Sequence, residues 1–417
     1  MDVAAAATPA SIAAPHPMGS AWSLEPGVTF LNHGSFGPSP QPVLQAREDW
    51  SRRIEREPMD FFARRLEPEL DLARERLAAF VGARPADLLF VDNATFGMNI
   101  VARSLTLRSG DEVLLNDHEY GAVLRIWRAR CDEVGARVRI VRFPEPLTSS
   151  ADLVDTLRDA LTPSTRLIVL SHVTSQTATI FPVRAVCEMA HAQGVPVCID
   201  GPHAPCVTEI DLSRLGCDYY TASCHKWLSA PFGTGFLWVH PRHQKSLRPV
   251  VTSWGGSLAG RSPHWHDEFN WSGTRDYAPF LAIPAALDFF TEVGAGNFDR
   301  GVAAFRAHGH ALARLARHKV EALTGLACPI PDSPDWYGPM ISLPLPVSVP
   351  ETTHGQMNPL QQRLWEAHRI ETPLVNWRGR RWVRVSCHLY NSAADIEHFA
   401  KALAEELERF SSGLSLG

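Results

Sequence analysis

The chain lacks a C-x-x-C pair, a block of Lys and Arg, a run of about 18 apolar residues, and a G-x-G-x-x-G in its first strand-to-helix turn. Each absence excludes a class. The eight cysteines, at 131, 187, 198, 206, 217, 224, 328 and 387, are scattered, so neither a zinc cluster nor a disulfide framework is expected, and reduced cytoplasmic thiols are the simplest reading. No metal is expected. A formal net charge of -5 without basic clusters argues against nucleic acid or an anionic membrane as partner, and the missing apolar run argues against a spanning helix. The missing glycine fingerprint weighs against a nicotinamide-binding oxidoreductase. Lys and Arg are also absent before Arg47, and prolines break the Ala-rich start; residues 1–20 therefore read as a mobile tail, not a signal peptide.

What is present is an ordinary globular composition. At 417 residues, 45% of them hydrophobic and 20% charged, the chain can bury a sizeable core, divided between a large and a smaller domain. A small molecule is the default partner. From about residue 85 to 240, short apolar runs at 87–91, 112–115, 138–141, 167–170 and 195–199 alternate with amphipathic stretches at 96–107, 120–134, 151–161 and 183–193. Strands alternating with helices imply right-handed crossovers and a mainly parallel sheet covered on both faces, an α/β domain. The runs 218–222 and 235–239 lie closer together, across a loop with Pro231 and Gly233, and predict strands joined without a full crossover helix, seven strands in all. Beyond Trp271 the pattern predicts helices at 277–293 and 296–323, a strand at 340–345, a helix at 357–368, strands at 371–375 and 381–386, and a last helix from Ala393 with Ser392 as its N-cap. The expected division is a large domain over 21–290, with 21–60 able to pack on the smaller one, and a small α+β domain over 291–417.

In open α/β sheets ligands lie beyond the carboxyl ends of strands. The run 195–199 ends in Asp200-Gly-Pro-His203, and the run 218–222 is followed by Ser223-Cys-His-Lys226-Trp227. A lysine there can form a Schiff base with an aldehyde cofactor, and a carboxylate can keep a pyridine ring protonated so that it draws electrons from a substrate carbanion. Taken singly, Asp200 is equally a turn or cap residue, and Lys226 a snorkelling surface lysine.

Three segments in this order, Asp200-Gly-Pro-His-Ala-Pro205, Ser223-Cys-His-Lys-Trp-Leu228 and Ser272-Gly-Thr-Arg-Asp276, together with Leu31-Asn-His-Gly-Ser-Phe-Gly-Pro38 and Tyr390-Asn391, resemble the class V aminotransferase family of fold-type I pyridoxal-phosphate (PLP) enzymes. Within it the isopenicillin N epimerase-like branch is most similar. The family also contains cysteine desulfurases and C-S lyases. The resemblance implies the fold-type I PLP-dependent transferase fold, PLP held by Lys226, and Asp200 on its ring nitrogen. It implies backbone N–H groups of Ala94 and Thr95 at a helix N-terminus, with Ser223 and His225, on the phosphate. Tyr120 stacks on the ring, with His118 the weaker candidate. Ser175 matches a position near the cofactor's phenolic oxygen. Thr274 matches the residue that reaches the partner subunit's phosphate, which makes the enzyme a homodimer with shared sites. Arg384, in Trp382-Val-Arg-Val-Ser386, matches the arginine that clamps the α-carboxylate of an amino-acid substrate; Arg378, Arg380 and Arg381 read as a solvated basic turn. Asn32 and His33 are expected near the substrate entrance. Two departures, Asp-Gly-Pro-His for the commoner Asp-Gly-Ala-His, and Thr177-Ala178 for Thr-Gly, touch the pocket wall and leave the substrate open.

The resemblance also implies that Lys226, once displaced by the substrate amine, takes the Cα proton. The fate of the carbanion stays open. Epimerisation ranks first, with Tyr120 or His203 as the second acid. C-S lysis of a cysteine conjugate is the alternative, ahead of transamination. Desulfuration ranks low, because 329–386 holds no cysteine to accept sulfur.

Overall fold

A computed structural model describes residues 12–353 and 355–412. Numbered along the chain, its strands are β1 Thr29–Phe30, β2 Leu88–Val91, β3 Glu112–Asn116, β4 Arg137–Val141, β5 Thr165–Ser171 and β6 Val197–Asp200, then β7 Tyr219–Ser223, β8 Gly235–Val239, β9 Met340–Pro344, β10 Ile370–Glu371, β11 Leu374–Trp377 and β12 Arg380–Ser386. The chain forms two compact units, neither contiguous in sequence: residues 38–173 with 181–290, and residues 12–37 with 174–180 and 291–412.

The first unit carries a seven-stranded sheet in the order β2-β8-β7-β6-β5-β3-β4. All neighbours from β7 to β4 pair parallel, whereas β8 runs against both β7 and β2. β2, β3 and β5 to β8 are buried at nearly every position, which is why they read as continuous apolar runs and not as alternation. β4 is different. It lies at the edge, and its Arg137 and Arg139 leave a half-exposed, charged strand that resists edge-to-edge pairing. Helices Ala94–Ser104 and Gly121–Val134 cover the sheet through Met98, Val101, Val123 and Trp127, which pack with Leu115, Leu167, Val169 and Leu237. From β3 the chain steps outward to β4, and from β5 it steps the other way to β6 and β7. The strand order therefore reverses between β3 and β5, the crevice where such sheets bind ligands.

In the second unit, β9, β12 and β11 form an antiparallel sheet, and β1 pairs with β10 in parallel. Ser386 N–H then donates to Leu31 O at 2.8 Å, so the N-terminal segment is knitted to the last strands. Helices Phe298–Thr324, Pro359–His368 and Ala393–Ser411 complete the unit. Ser392 caps the last of these in a reciprocal box with Asp395. The helix expected over 277–293 is broken into Ala278–Leu281 and Ile283–Val293, with Pro284 at the break, where its missing N–H and ring cannot continue a helix. Of the expected mobile tail, residues 1–11 lie outside the described residues. Residues 12–20 are anchored at two buried points, Ile12 and Gly19, between more exposed positions. Ile12 is buried, Pro17–Ala21 forms a 3-10 turn, and His16 N–H donates to Leu389 O at 2.9 Å. Among the described residues no single helix is long and apolar enough to cross a membrane.

Candidate active site

Glycine sets the approach of the elements that build the site. A Cβ at Gly97 would fall 2.1 Å from Thr221 Oγ1, so only glycine lets the helix Ala94–Ser104 lie this close on β7. Asn93 caps that helix by accepting from Phe96 N–H at 2.9 Å, and Ala94 N–H donates to Ser223 Oγ, at the end of β7, at 3.1 Å. A helix N-terminus and a serine hydroxyl thus meet at the carboxyl end of β7, which is chemistry suited to a phosphate. Thr95 is exposed and Ser223 is buried. His225, two residues on, donates through Nδ1 to Thr234 O at 3.0 Å. Burial, and then Lys226, lower its pKa to about 4. Its remaining nitrogen, Nε2, could donate to a phosphate only from the protonated ring, which an anion beside it would favour.

Lys226 stands in the connection from β7 to β8, a tight loop closed by Cys224 N–H to Thr234 O at 2.9 Å and Ser229 N–H to Lys226 O at 2.8 Å. Its Nζ lies 3.1 Å from Nε2 of the buried His203. The indole N–H of Trp227 donates to Nδ1 of the same ring at 3.2 Å. Since an indole can only donate, Nδ1 carries no proton, and the neutral ring presents an Nε2–H to Lys226. A neutral Nζ can accept that proton with the same lone pair that a Schiff base or a general base needs.

Asp200 ends β6 and is 3% exposed. Burial, and then the carboxylate of Glu119, push its pKa up to about 8, while Lys226 pulls the other way. A buried carboxyl so placed is satisfied only by a cationic or proton-sharing partner, and a pyridine nitrogen is such a partner. Gly201 after it admits the ring of Tyr220, whose Cζ would lie 2.4 Å from an added Cβ. Tyr120, at the start of the helix after β3, is 44% exposed and so presents its ring at the strand ends. His118 does not. It is buried between Phe143 and Phe181, because apolar packing holds its ring in the interior. Thr274 is exposed, next to Arg275, which pairs with Asp92 at 2.5 Å.

In the other unit, Arg384 is 5% exposed on β12. Its Nη1 donates to Ser175 O at 2.7 Å and Ser175 Oγ at 3.1 Å, and its Nη2 to Ser35 Oγ at 2.5 Å. Ser175, expected beside the cofactor, is thus grouped with the arginine, because a guanidinium fork offers it two close donors. Arg381 also departs from expectation. It is only 9% exposed and donates to Val347 O and Gly379 O, so the solvated turn comprises Arg378 and Arg380. His33, expected at the entrance, is fully buried, stacked 4.1 Å from the His388 ring and bonded to Tyr390 Oη at 2.9 Å. It is a packing residue. Asn32 is buried too, bridged to Ser386 through the backbone.

Two residues were missed in sequence. Glu119 and Ser35 both lie inside segments whose neighbours drew attention, but a glutamate before a helix and a serine in a Gly-rich turn are ordinary surface residues in most sequences. Only their burial and partners set them apart.

A lysine and a buried aspartate at the carboxyl ends of a mainly parallel α/β sheet fit a fold-type I PLP enzyme. The chain belongs to the aminotransferase class-V family, whose pattern matches residues 30–399. It is 39% identical over 398 residues to an isopenicillin N epimerase of Amycolatopsis lactamdurans, covering 92% of this chain and 96% of that protein. It is 27% identical over 415 residues to an L-cysteine desulfhydrase of Arabidopsis thaliana, covering 91% and 88%. A cystine C-S lyase solved in complex with its product, cysteine persulfide, shares the fold with a TM-score of 0.75 at 23% identity, over 91% of this chain and 98% of that one.

Proposed function

We propose that this chain is an amino-acid epimerase of the isopenicillin N epimerase kind, in which Lys226 removes the Cα proton and a second acid returns one to the opposite face. The observation that carries the reading is the Lys226–His203–Trp227 chain of contacts at the strand ends, beside the buried Asp200. When bound, PLP supplies an aldehyde that captures amines and a ring that stabilises negative charge at Cα. The protein's part is to hold and to move protons. Asp200 faces the ring nitrogen and Tyr120 covers the ring. Ala94, Thr95, Ser223 and His225 hold the phosphate, joined by Thr274 of a second copy in a homodimer. Arg384 fixes the substrate carboxylate with Ser175 and Ser35 behind it. Lys226 Nζ receives the proton, and Tyr120 or His203 supplies the other. The 39% identity to an epimerase over nearly the full length of both chains supports this choice of outcome.

C-S lysis of a cysteine conjugate is the second reading, supported by the similarity to an L-cysteine desulfhydrase. Persulfide transfer through a cysteine is disfavoured. All eight cysteines are buried, and burial pushes the Cys328 thiol up to about 11 and the Cys187 thiol up to about 12. We place the enzyme in the cytoplasm, where these thiols stay reduced. Incubation of the PLP-loaded enzyme with sulfur-containing amino acids in deuterated water tests the reading. Deuterium at Cα with inversion is expected; pyruvate with a released thiol would replace epimerisation by lysis, and neither product from any amino acid would refute both.

A further inference from the structure

The crevice between β3 and β5 contains a second carboxylate that the reaction as described does not use. Glu119 follows β3 by three residues and is fully buried. Its Oε1 accepts from Ser171 N–H at 2.6 Å and from Asn116 Nδ2 at 2.8 Å, and its Oε2 accepts from the Ser171 hydroxyl at 2.9 Å. Asn116 is itself oriented, since its Oδ1 accepts from His118 N–H at 2.9 Å. Burial pushes the Glu119 pKa up to about 7, while its three donors from Ser171 and Asn116 pull the other way and hold it below Asp200, which has no such donors and is pushed up to about 8. Ser171 is also the register partner of Asp200, and His172 N–H donates to Asp200 O at 2.9 Å. One strand end therefore ties the two buried carboxyls together.

We propose that Glu119 is a charge-setting residue for the cofactor: held as an anion at the strand-order switch, it raises the proton affinity of the ring nitrogen that Asp200 faces. The inference rests on the reading of Asp200 as that nitrogen's partner. Two buried carboxylates cannot both be charged without a cation beside them. In the free protein the proton they retain sits on Asp200, the less hydrogen-bonded of the two, and burial with Glu119 raises that group's pKa accordingly. With the cofactor in place, the same proton has a better seat on the ring nitrogen. The other titratable groups around the pair include Lys226, Cys198, Tyr220 and His172, the last three kept neutral by burial. Glu119 is a positioning residue for charge and need not touch the cofactor.

The test uses the enzyme loaded with PLP labelled by nitrogen-15 in its ring, with the ring-nitrogen signal followed upward from neutral pH. Glu119→Gln keeps a carbonyl to accept from Ser171 N–H and Asn116, removes the charge, and turns the Ser171 hydroxyl from donor to acceptor of the amide N–H. Its ring nitrogen is expected to lose the proton at least about one pH unit earlier than wild type, a tenfold fall in proton affinity. Ser171→Ala removes one donor without touching either carboxyl, and is expected to move the midpoint part of the way. A Glu119→Gln ring nitrogen that stays protonated as far as the wild type's overturns the proposal. If that variant does not fold, an unmoved midpoint in Ser171→Ala overturns it. Asp200→Asn separates the two readings: if its signal shifts while that of Glu119→Gln does not, only the role of Glu119 fails, and if its signal does not shift, the reading of Asp200 fails.

Discussion

Replacing Arg384 by lysine keeps a positive charge on β12 and removes the planar fork. In the native protein three contacts fix the guanidinium, to Ser175 O, Ser175 Oγ and Ser35 Oγ. An ammonium on a shorter reach cannot hold all three and still offer two parallel donors to a carboxylate. A charge-assisted hydrogen bond is worth about 1.5–3 kcal/mol, and at 5% exposure Arg384 is little screened by solvent. Loss of one of two such bonds therefore costs about 2 kcal/mol, roughly a 30-fold fall in kcat/KM. Arg384→Ala removes both, about 3–5 kcal/mol, with a fall of roughly 10²–10³-fold or more. The assay compares kcat/KM for an amino acid and for the amine that lacks its carboxylate, with urea unfolding as a control for the lost serine contacts. The discrimination between the two substrates should collapse in both variants. An equal loss on both substrates, or near-native discrimination in Arg384→Lys, would refute the assignment.

Other outcomes follow from the same structure. Asp200 is raised in the folded state above its ordinary value of 3.8, to about 8; a folded protein that binds the extra proton loses stability as pH rises between those values. Cofactor-free Asp200→Asn should therefore gain on cofactor-free wild type between about pH 4 and pH 8, reaching a few kcal/mol in urea titrations, and a constant difference would contradict it. Gly97→Ala places a Cβ against Thr221 and should cost about 1–3 kcal/mol while weakening cofactor retention, measured by dialysis against a phosphate buffer. Ser392→Ala removes half of the capping box of the last helix and should lower stability by about 1 kcal/mol with PLP binding unchanged.

Six strands of the large sheet were legible as apolar runs buried on both faces, and β4, half-exposed and charged, by its place between amphipathic helices; Ser392 was legible as a cap because its partner Asp395 stands three residues on. Lys226 and Asp200 stood out because each follows the end of an apolar run, and the structure places both at strand ends. What local pattern could not hold was pairing across distance. Thr29 pairs with Ile370, and residues 174–180 group with the C-terminal residues; no short window contains both partners. The same limit hid Glu119, whose donor Ser171 is distant in sequence, and the contact of Ser175 with Arg384, far along the chain. It also hid the stacking of His33 on His388, which is near the other end of the chain.

The role of Lys226 has a direct chemical test, helped by composition: the chain has four lysines, at 226, 245, 319 and 401. Lys245 and Lys401 are exposed, and Lys319 is paired with Glu397 at 2.7 Å. Borohydride reduction of the PLP-loaded protein, followed by peptide mapping, should erase the visible absorption band and leave one pyridoxyl group per chain on Lys226. A label on Lys245, Lys319 or Lys401 in its place, or no label while PLP remains bound, would contradict the assignment of Lys226 as the cofactor's anchor.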